Sequence, residues 1–91
     1  MKISILTATY NRAKLLDRLY TSIIVNNNNC EELETEWLIM DDGSTDNTKR
    51  IVGEYIKEGI IDIKYYNQEN KGKMTAINEL VKKSTGDIMV E

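Results

Sequence analysis

The 91 residues predict one α/β domain with a parallel sheet in the strand order 3-2-1-4. Three observations carry that prediction. Short apolar runs alternate with segments of helical periodicity, giving β-α-β-α-β-α-β, and such alternation makes a parallel sheet with right-handed crossovers. The first two strand runs, Ile3 to Leu6 and Trp37 to Met40, are almost continuously apolar, as strands covered on both faces are. The third, Ile61 to Asn67, alternates Ile61, Ile63 and Tyr65 with Asp62, Lys64 and Tyr66, as a strand near a sheet edge does.

Taken in order, Lys2 to Thr7 is the first strand, followed by a polar loop at Thr9, Asn11 and Arg12. Ala13 to Val25 has its apolar residues on one helical face: Leu15, Leu16, Leu19, Tyr20, Ile23 and Ile24. Asn11 is the expected cap of that helix. Asn26 to Glu36 holds four consecutive asparagines and then Glu31, Glu32, Glu34 and Glu36, and reads as a surface loop. After the second strand, Thr45 or Asp46 caps a helix that runs to about Lys57 and ends at Gly59, with Ile51, Val52, Tyr55 and Ile56 as its stripe. A turn around Gly72 leads into a third helix, Lys73 to Lys83, with Ile77, Leu80 and Val81 inward. A fourth strand, Asp87 to Glu91, follows Gly86. Together these make a Rossmann-like three-layer α/β/α half-domain over residues 1–91. Because the chain stops within an apolar strand, it is expected to be the first part of a longer domain, incomplete at its C-terminus.

Composition excludes several functions. A net charge of −3, from 12 basic and 15 acidic residues with no basic block, argues against nucleic acid as a partner. No histidine is present, so there is no His-dependent triad or His metal site. Cys30 is the only cysteine, so no intrachain disulfide forms and a reducing, cytoplasmic compartment fits best. No signal-peptide pattern opens the chain, and no apolar run approaches the ~20 residues that span a bilayer.

Ligands of open parallel sheets bind beyond the carboxyl ends of the strands, near the point where strand order reverses. Three polar stretches fall at such ends. Asp41-Asp42-Gly43-Ser44 follows the second strand. Successive strand residues point to opposite sides, so the two carboxylates have different jobs. Either one faces a ligand while the other accepts backbone N–H groups of the turn, or both serve the turn and the next helix N-terminus. A response-regulator Mg²⁺ site is rejected, because the first strand ends in Thr7-Ala8-Thr9 and the third in Tyr66-Asn67. Thr7-Ala8-Thr9-Tyr10-Asn11-Arg12 follows the first strand. Its small residues admit a ligand to the backbone, Tyr10 offers a stacking face, and Arg12 can reach phosphate. An ordinary loop with a surface arginine fits the same residues. Asn70-Lys71-Gly72-Lys73, with Ala76 and Asn78, puts a glycine and basic residues at a helix N-terminus, which suits an anion. It falls short of a Walker pattern, and a solvated turn would look the same.

Taken together, these stretches and Thr85-Gly86-Asp87-Ile88 resemble family 2 glycosyltransferases, inverting enzymes of the GT-A fold, over nearly the whole chain. The resemblance implies a site for a nucleotide-sugar donor, commonly UDP-linked. Tyr10 matches the aromatic residue that packs on the base, and Ala8 and Thr9 match positions lining it. Asp42 matches the acid that contacts uracil, and Asp41 is its neighbour. Lys73 lies in the segment whose basic residue approaches the base or phosphates, and Arg12 holds a usually polar or basic position. Ala8 stands where proline is common. In the full-length enzyme, Mg²⁺ or Mn²⁺ would be held by an Asp-x-Asp motif expected beyond Glu91, with the catalytic base and the acceptor half also there. The 91 residues are therefore expected to hold no catalytic residue and no metal ligand, and to be inactive alone. The acceptor would be a saccharide, a lipid-linked molecule or another hydroxyl compound, and the missing part could bring the enzyme to the cytoplasmic face of a membrane. The apolar fourth strand, as an unpaired edge, predicts self-association through Ile88 to Glu91. The alternatives are a non-catalytic nucleotide-binding or interaction module with the same half-fold, or another nucleotidyl-handling protein of related topology.

Overall fold

In a computed structural model, residues 2–28 and 34–91 are described. They form β1 (Lys2–Thr9), α1 (Ala13–Asn28), β2 (Glu34–Asp41), α2 (Thr48–Glu58), β3 (Asp62–Asn67), α3 (Lys73–Lys83) and β4 (Asp87–Val90). All three strand pairings are parallel, and the order is β3-β2-β1-β4, as the alternation predicts.

Strand alternation divides the core into two layers. Ile5, Trp37, Ile39 and Ile63 face α1 and α2, where they pack with Leu16, Tyr20, Val52 and Tyr55. Leu6, Leu38 and Met40 face α3, where Ala76 and Leu80 meet them. On the first side three aromatic rings lie nearly parallel: Tyr20 is 3.9 Å from Tyr55 and 6.3 Å from Trp37, centroid to centroid. The Trp37 indole N–H donates to the Thr7 hydroxyl at 2.9 Å.

Four expectations need correcting, besides three smaller ones: β1 runs on through Thr9, Asn47 and not Thr45 or Asp46 holds the cap position of α2, and Ile56 of its stripe is 45% exposed. The break at Asn26 to Glu36 is shorter: α1 continues through Asn28, and Glu34 already belongs to β2. Asparagine is only a mildly poor helix former, and neither glycine nor proline stops the helix there. Residues 29–33, including Cys30, lie outside the described residues. Second, Glu36 is fully buried rather than in a surface loop, at the amino end of the sheet. Third, Asn11 does not cap α1; its amide turns to the opposite loop, and Asp46 Oδ2 accepts the Ala13 N–H at 3.4 Å. Fourth, Val81 is 41% exposed, and Ala76 takes the inward place beside Leu80. Gly59 closes α2 as expected, its N–H donating to Ile56 O.

The buried Glu36 gathers the amino ends of β1, β3 and β4. Its Oε2 accepts the Ser4 hydroxyl, the Thr85 N–H at 2.8 Å and the Thr85 hydroxyl at 3.0 Å. Its Oε1 accepts Lys64 Nζ at 2.9 Å. Burial pushes this carboxyl up, but bonds from Ser4, Lys64 and Thr85 outweigh it and hold the pKa at about 2. Ser4 Oγ in turn accepts the Gly86 N–H at 2.8 Å. A Cβ on Gly86 would lie 2.7 Å from the Lys2 carbonyl oxygen, so only glycine lets β4 enter this close to β1.

Candidate nucleotide-binding site

The carboxyl ends of β1 and β2 open into a cleft of about 540 Å³. It lies where strand order reverses, between β1 and β4. Of the residues singled out from the sequence, Ala8, Thr9, Tyr10, Arg12, Asp42 and Lys73 all line it. They come from three stretches separated by up to 65 residues of chain, the end of β1 with the residues after it, the residue after β2 and the start of α3, brought together by the parallel sheet. Asp41 does not line the cleft.

Alternation along β2 separates the two carboxylates. Asp41 turns toward the helix α2 side, where Oδ1 accepts the Ser44 N–H at 2.8 Å and Oδ2 accepts the Tyr65 hydroxyl. Burial, reinforced by Asp41, pushes the Tyr65 phenol well up. Asp42 turns toward the loop that precedes α3. Its Oδ1 accepts Gln68 Nε2 at 2.9 Å and the Lys71 N–H at 2.6 Å, and its Oδ2 accepts the Gly72 N–H at 3.0 Å. The Gln68 bond, followed by those from Lys71 and Gly72, holds its carboxyl below the usual range. Both carboxylates thus serve turns, and Asp42 also faces the cleft.

Gly43, between this pair and Ser44, has a φ of 85°, and a Cβ there would come within 3.4 Å of the Asn70 N. The turn after β2 therefore passes close under the 68–72 loop because glycine is small and accepts that φ.

The remaining wall differs from what the motifs suggest. Leu15, Leu16 and Leu19 of α1 give the cleft an apolar side, and Glu91 borders it. The sequence marks these leucines only as core, since a helical stripe reads alike whether it packs or lines a cavity. Tyr10 is 47% exposed at the rim. The Thr9 hydroxyl is buried without a hydrogen-bond partner. Such a group costs roughly 1–3 kcal/mol until something bonds it.

Among the described residues, no group of three or more His, Cys, Asp or Glu is placed to hold a metal ion. Asp42, a carboxylate in the cleft, already accepts three protein donors. The donor set present does not fit Mg²⁺ or Mn²⁺, which need several oxygen ligands. Nor is any described helix long and apolar enough to cross a membrane.

Comparison with known proteins decides the family. Residues 4–91 match the sequence profile of Glycosyl transferase family 2. The chain belongs to that family. An uncharacterized glycosyltransferase of Nostoc sp. is 32% identical over 89 residues, 98% of this chain and 26% of that protein. Poly-beta-1,6-N-acetyl-D-glucosamine synthase of Staphylococcus epidermidis is 36% identical over 84 residues, 91% of this chain and 19% of that protein. A crystal structure of S. aureus TarS in complex with UDP superimposes with a TM-score of 0.85 at 28% identity, covering all of this chain and 27% of that one. The glycosyltransferase chain thus spans about a quarter or less of the length of these proteins. Its α/β architecture is that of GT-A glycosyltransferases, as the motifs imply.

Proposed function

We propose that these 91 residues are the nucleoside-recognising part of a glycosyltransferase domain that uses a nucleotide-sugar donor, with UDP as the nucleotide. The observation that carries this reading is the single cleft that gathers Ala8, Thr9, Tyr10, Arg12, Asp42 and Lys73. Tyr10, at the rim, packs on the base. Asp42, held as a carboxylate, accepts the uracil N–H, for which it has acceptor capacity beyond its three protein donors. The buried Thr9 hydroxyl supplies a hydrogen bond to the nucleoside. Arg12 and Lys73 bring positive charge to the diphosphate. Asp41 acts at one remove, by fixing Ser44 and Tyr65. The UDP-bound TarS structure, so similar over the whole chain, supports the choice of nucleotide.

In the parent enzyme, an acceptor hydroxyl would displace the nucleoside diphosphate with inversion, a carboxylate base removing its proton. The base, the acceptor half and the Asp-x-Asp motif for Mg²⁺ or Mn²⁺ belong beyond Glu91 in this reading, so the 91 residues recognise the donor without transferring its sugar. The same reading puts the protein in the cytoplasm or on the cytoplasmic face of a membrane.

Calorimetric titration with UDP tests the site. The wild-type chain binds, and Asp42→Ala weakens binding about tenfold or more, the scale of losing a hydrogen bond to a charged acceptor. Equal affinity of the two proteins overturns the assignment of Asp42.

β4 carries a second proposal. Ile88, Met89 and Val90 are 49%, 45% and 51% exposed on an edge strand. Such an edge recruits another strand. The chain self-associates through Ile88 to Glu91, and light scattering is expected to show a mass above 10.5 kDa that rises with concentration. A monomer throughout contradicts it.

A further inference from the structure

Asn11 sits between two cleft residues, Tyr10 and Arg12, with a φ of 51°. Asparagine tolerates this left-handed region because its short amide usually bonds nearby backbone. Here the amide reaches the β2–α2 loop instead. Its Oδ1 accepts the Thr45 N–H at 2.8 Å and the Asp46 N–H at 3.2 Å. The exchange is reciprocal, since the Asn11 N–H donates to Ser44 Oγ at 2.8 Å. Asp46 adds a further tie, accepting the Ala13 N–H through Oδ2 while Oδ1 accepts the Thr48 N–H at 3.1 Å. The Asp46 carboxyl is held low, first by the Thr48 side chain and then by these backbone N–H groups.

Five bonds therefore clasp the start of α1 and the residues before it to the β2–α2 loop, the Thr45 hydroxyl adding a long one to Asn11 Oδ1 at 3.5 Å. The first loop carries Tyr10 and Arg12, and the second begins at Asp42. A second set of bonds, which Asp42 accepts from Gln68, Lys71 and Gly72, ties the second loop to the one leading to Lys73. Remove the Asn11 amide, and three of the five bonds across the first gap go with it.

We infer that Asn11 is a positioning residue for the nucleoside: it fixes Tyr10 and Arg12 relative to Asp42, so that a ligand meets a formed site and need not order two loops on binding. The inference rests on the nucleoside reading given under Proposed function. A residue that merely stabilised the turn would alter the melting temperature and leave affinity alone.

Two variants separate these roles. Asn11→Gly accepts the same φ and deletes the amide. Asn11→Asp keeps Oδ1 and also tolerates that φ. Each is compared with the wild-type chain by UDP titration, thermal melting and amide hydrogen exchange without ligand. Asn11→Gly is expected to bind UDP about tenfold more weakly, as losing these neutral hydrogen bonds from a preformed loop implies. Its Thr45 and Asp46 amides exchange faster, and its melting temperature falls by no more than the several degrees that a few exposed hydrogen bonds imply. Asn11→Asp restores both affinity and protection. Wild-type affinity in Asn11→Gly overturns the positioning role alone, as does failure of Asn11→Asp to rescue. Absence of UDP binding by the wild-type chain overturns the nucleoside reading, and this inference with it.

Discussion

The two ends of the sheet each bury carboxylate oxygens, and they satisfy them differently. At the amino end, Glu36 is enclosed by two hydroxyls, a backbone N–H and a lysine drawn from β1, β3 and the residues entering β4. At the carboxyl end, Asp42 meets two backbone N–H groups and an amide, and no lysine or arginine bonds it. A carboxylate neutralised by a cation has little left to offer a ligand. One held by neutral donors keeps its charge and some of its acceptor capacity, and Arg12 and Lys73 at the same cleft form no ion pair among the described residues. The amino end is built for assembly of the sheet, and the carboxyl end for shaping loops around a space.

That contrast breaks if stability and binding do not come apart. The largest effect is expected from Glu36→Ala, which leaves Ser4, Thr85 and Lys64 without their acceptor. It should cost about 3 kcal/mol, the scale of breaking a buried charged network. The thermal midpoint falls by roughly 15 °C in a domain of this size. UDP affinity at a temperature where the variant is folded should stay at the wild-type value. A variant that melts normally but loses UDP would reverse the assignment of the two ends.

Acid should reproduce part of that loss. The folded pKa of Glu36 is about 2, below its ordinary 4.5. A depressed carboxyl contributes stability that is present above the unfolded pKa and is lost as pH falls toward the folded one. Denaturant titrations at pH 4.5 and pH 3 should therefore differ by about 2 kcal/mol. In Glu36→Ala that contribution disappears. An identical acid slope in the variant and the wild type would assign the effect elsewhere.

Ser4→Ala is the smallest of the three. It removes the bridge between Glu36 and the Gly86 N–H but leaves Glu36 its lysine and Thr85, so about 1–2 kcal/mol is expected from equilibrium unfolding. Loss equal to that of Glu36→Ala would mean that the hydroxyl, and not the carboxylate, holds β4 in place.

The strand order and all seven elements were legible because apolar periodicity differs between strands and helices, and because one strand alternated while two did not. The cleft was legible for a related reason: its residues fall at the carboxyl ends of strands or in the segments leading from them into helices, where the parallel fold collects them. Glu36 was not legible. It stands in a run of glutamates whose composition describes a surface, and its partners Ser4 and Thr85 lie 32 and 49 residues away. Asn11 was misread for a similar reason, since an asparagine before a helix has a local use as a cap. Its actual partners, Thr45 and Asp46, become neighbours only when β1 and β2 pair.

Trp37 is the one tryptophan of the chain, stacked with tyrosines on one side of the sheet and bonded through its indole to Thr7. Thr7 in turn lines the cleft. The one tryptophan, whose emission can be excited apart from that of the five tyrosines, therefore touches both the packed core and a residue of the cavity wall. Its emission is expected to follow unfolding and, when UDP is added, occupancy from one position in the sequence, with no label attached.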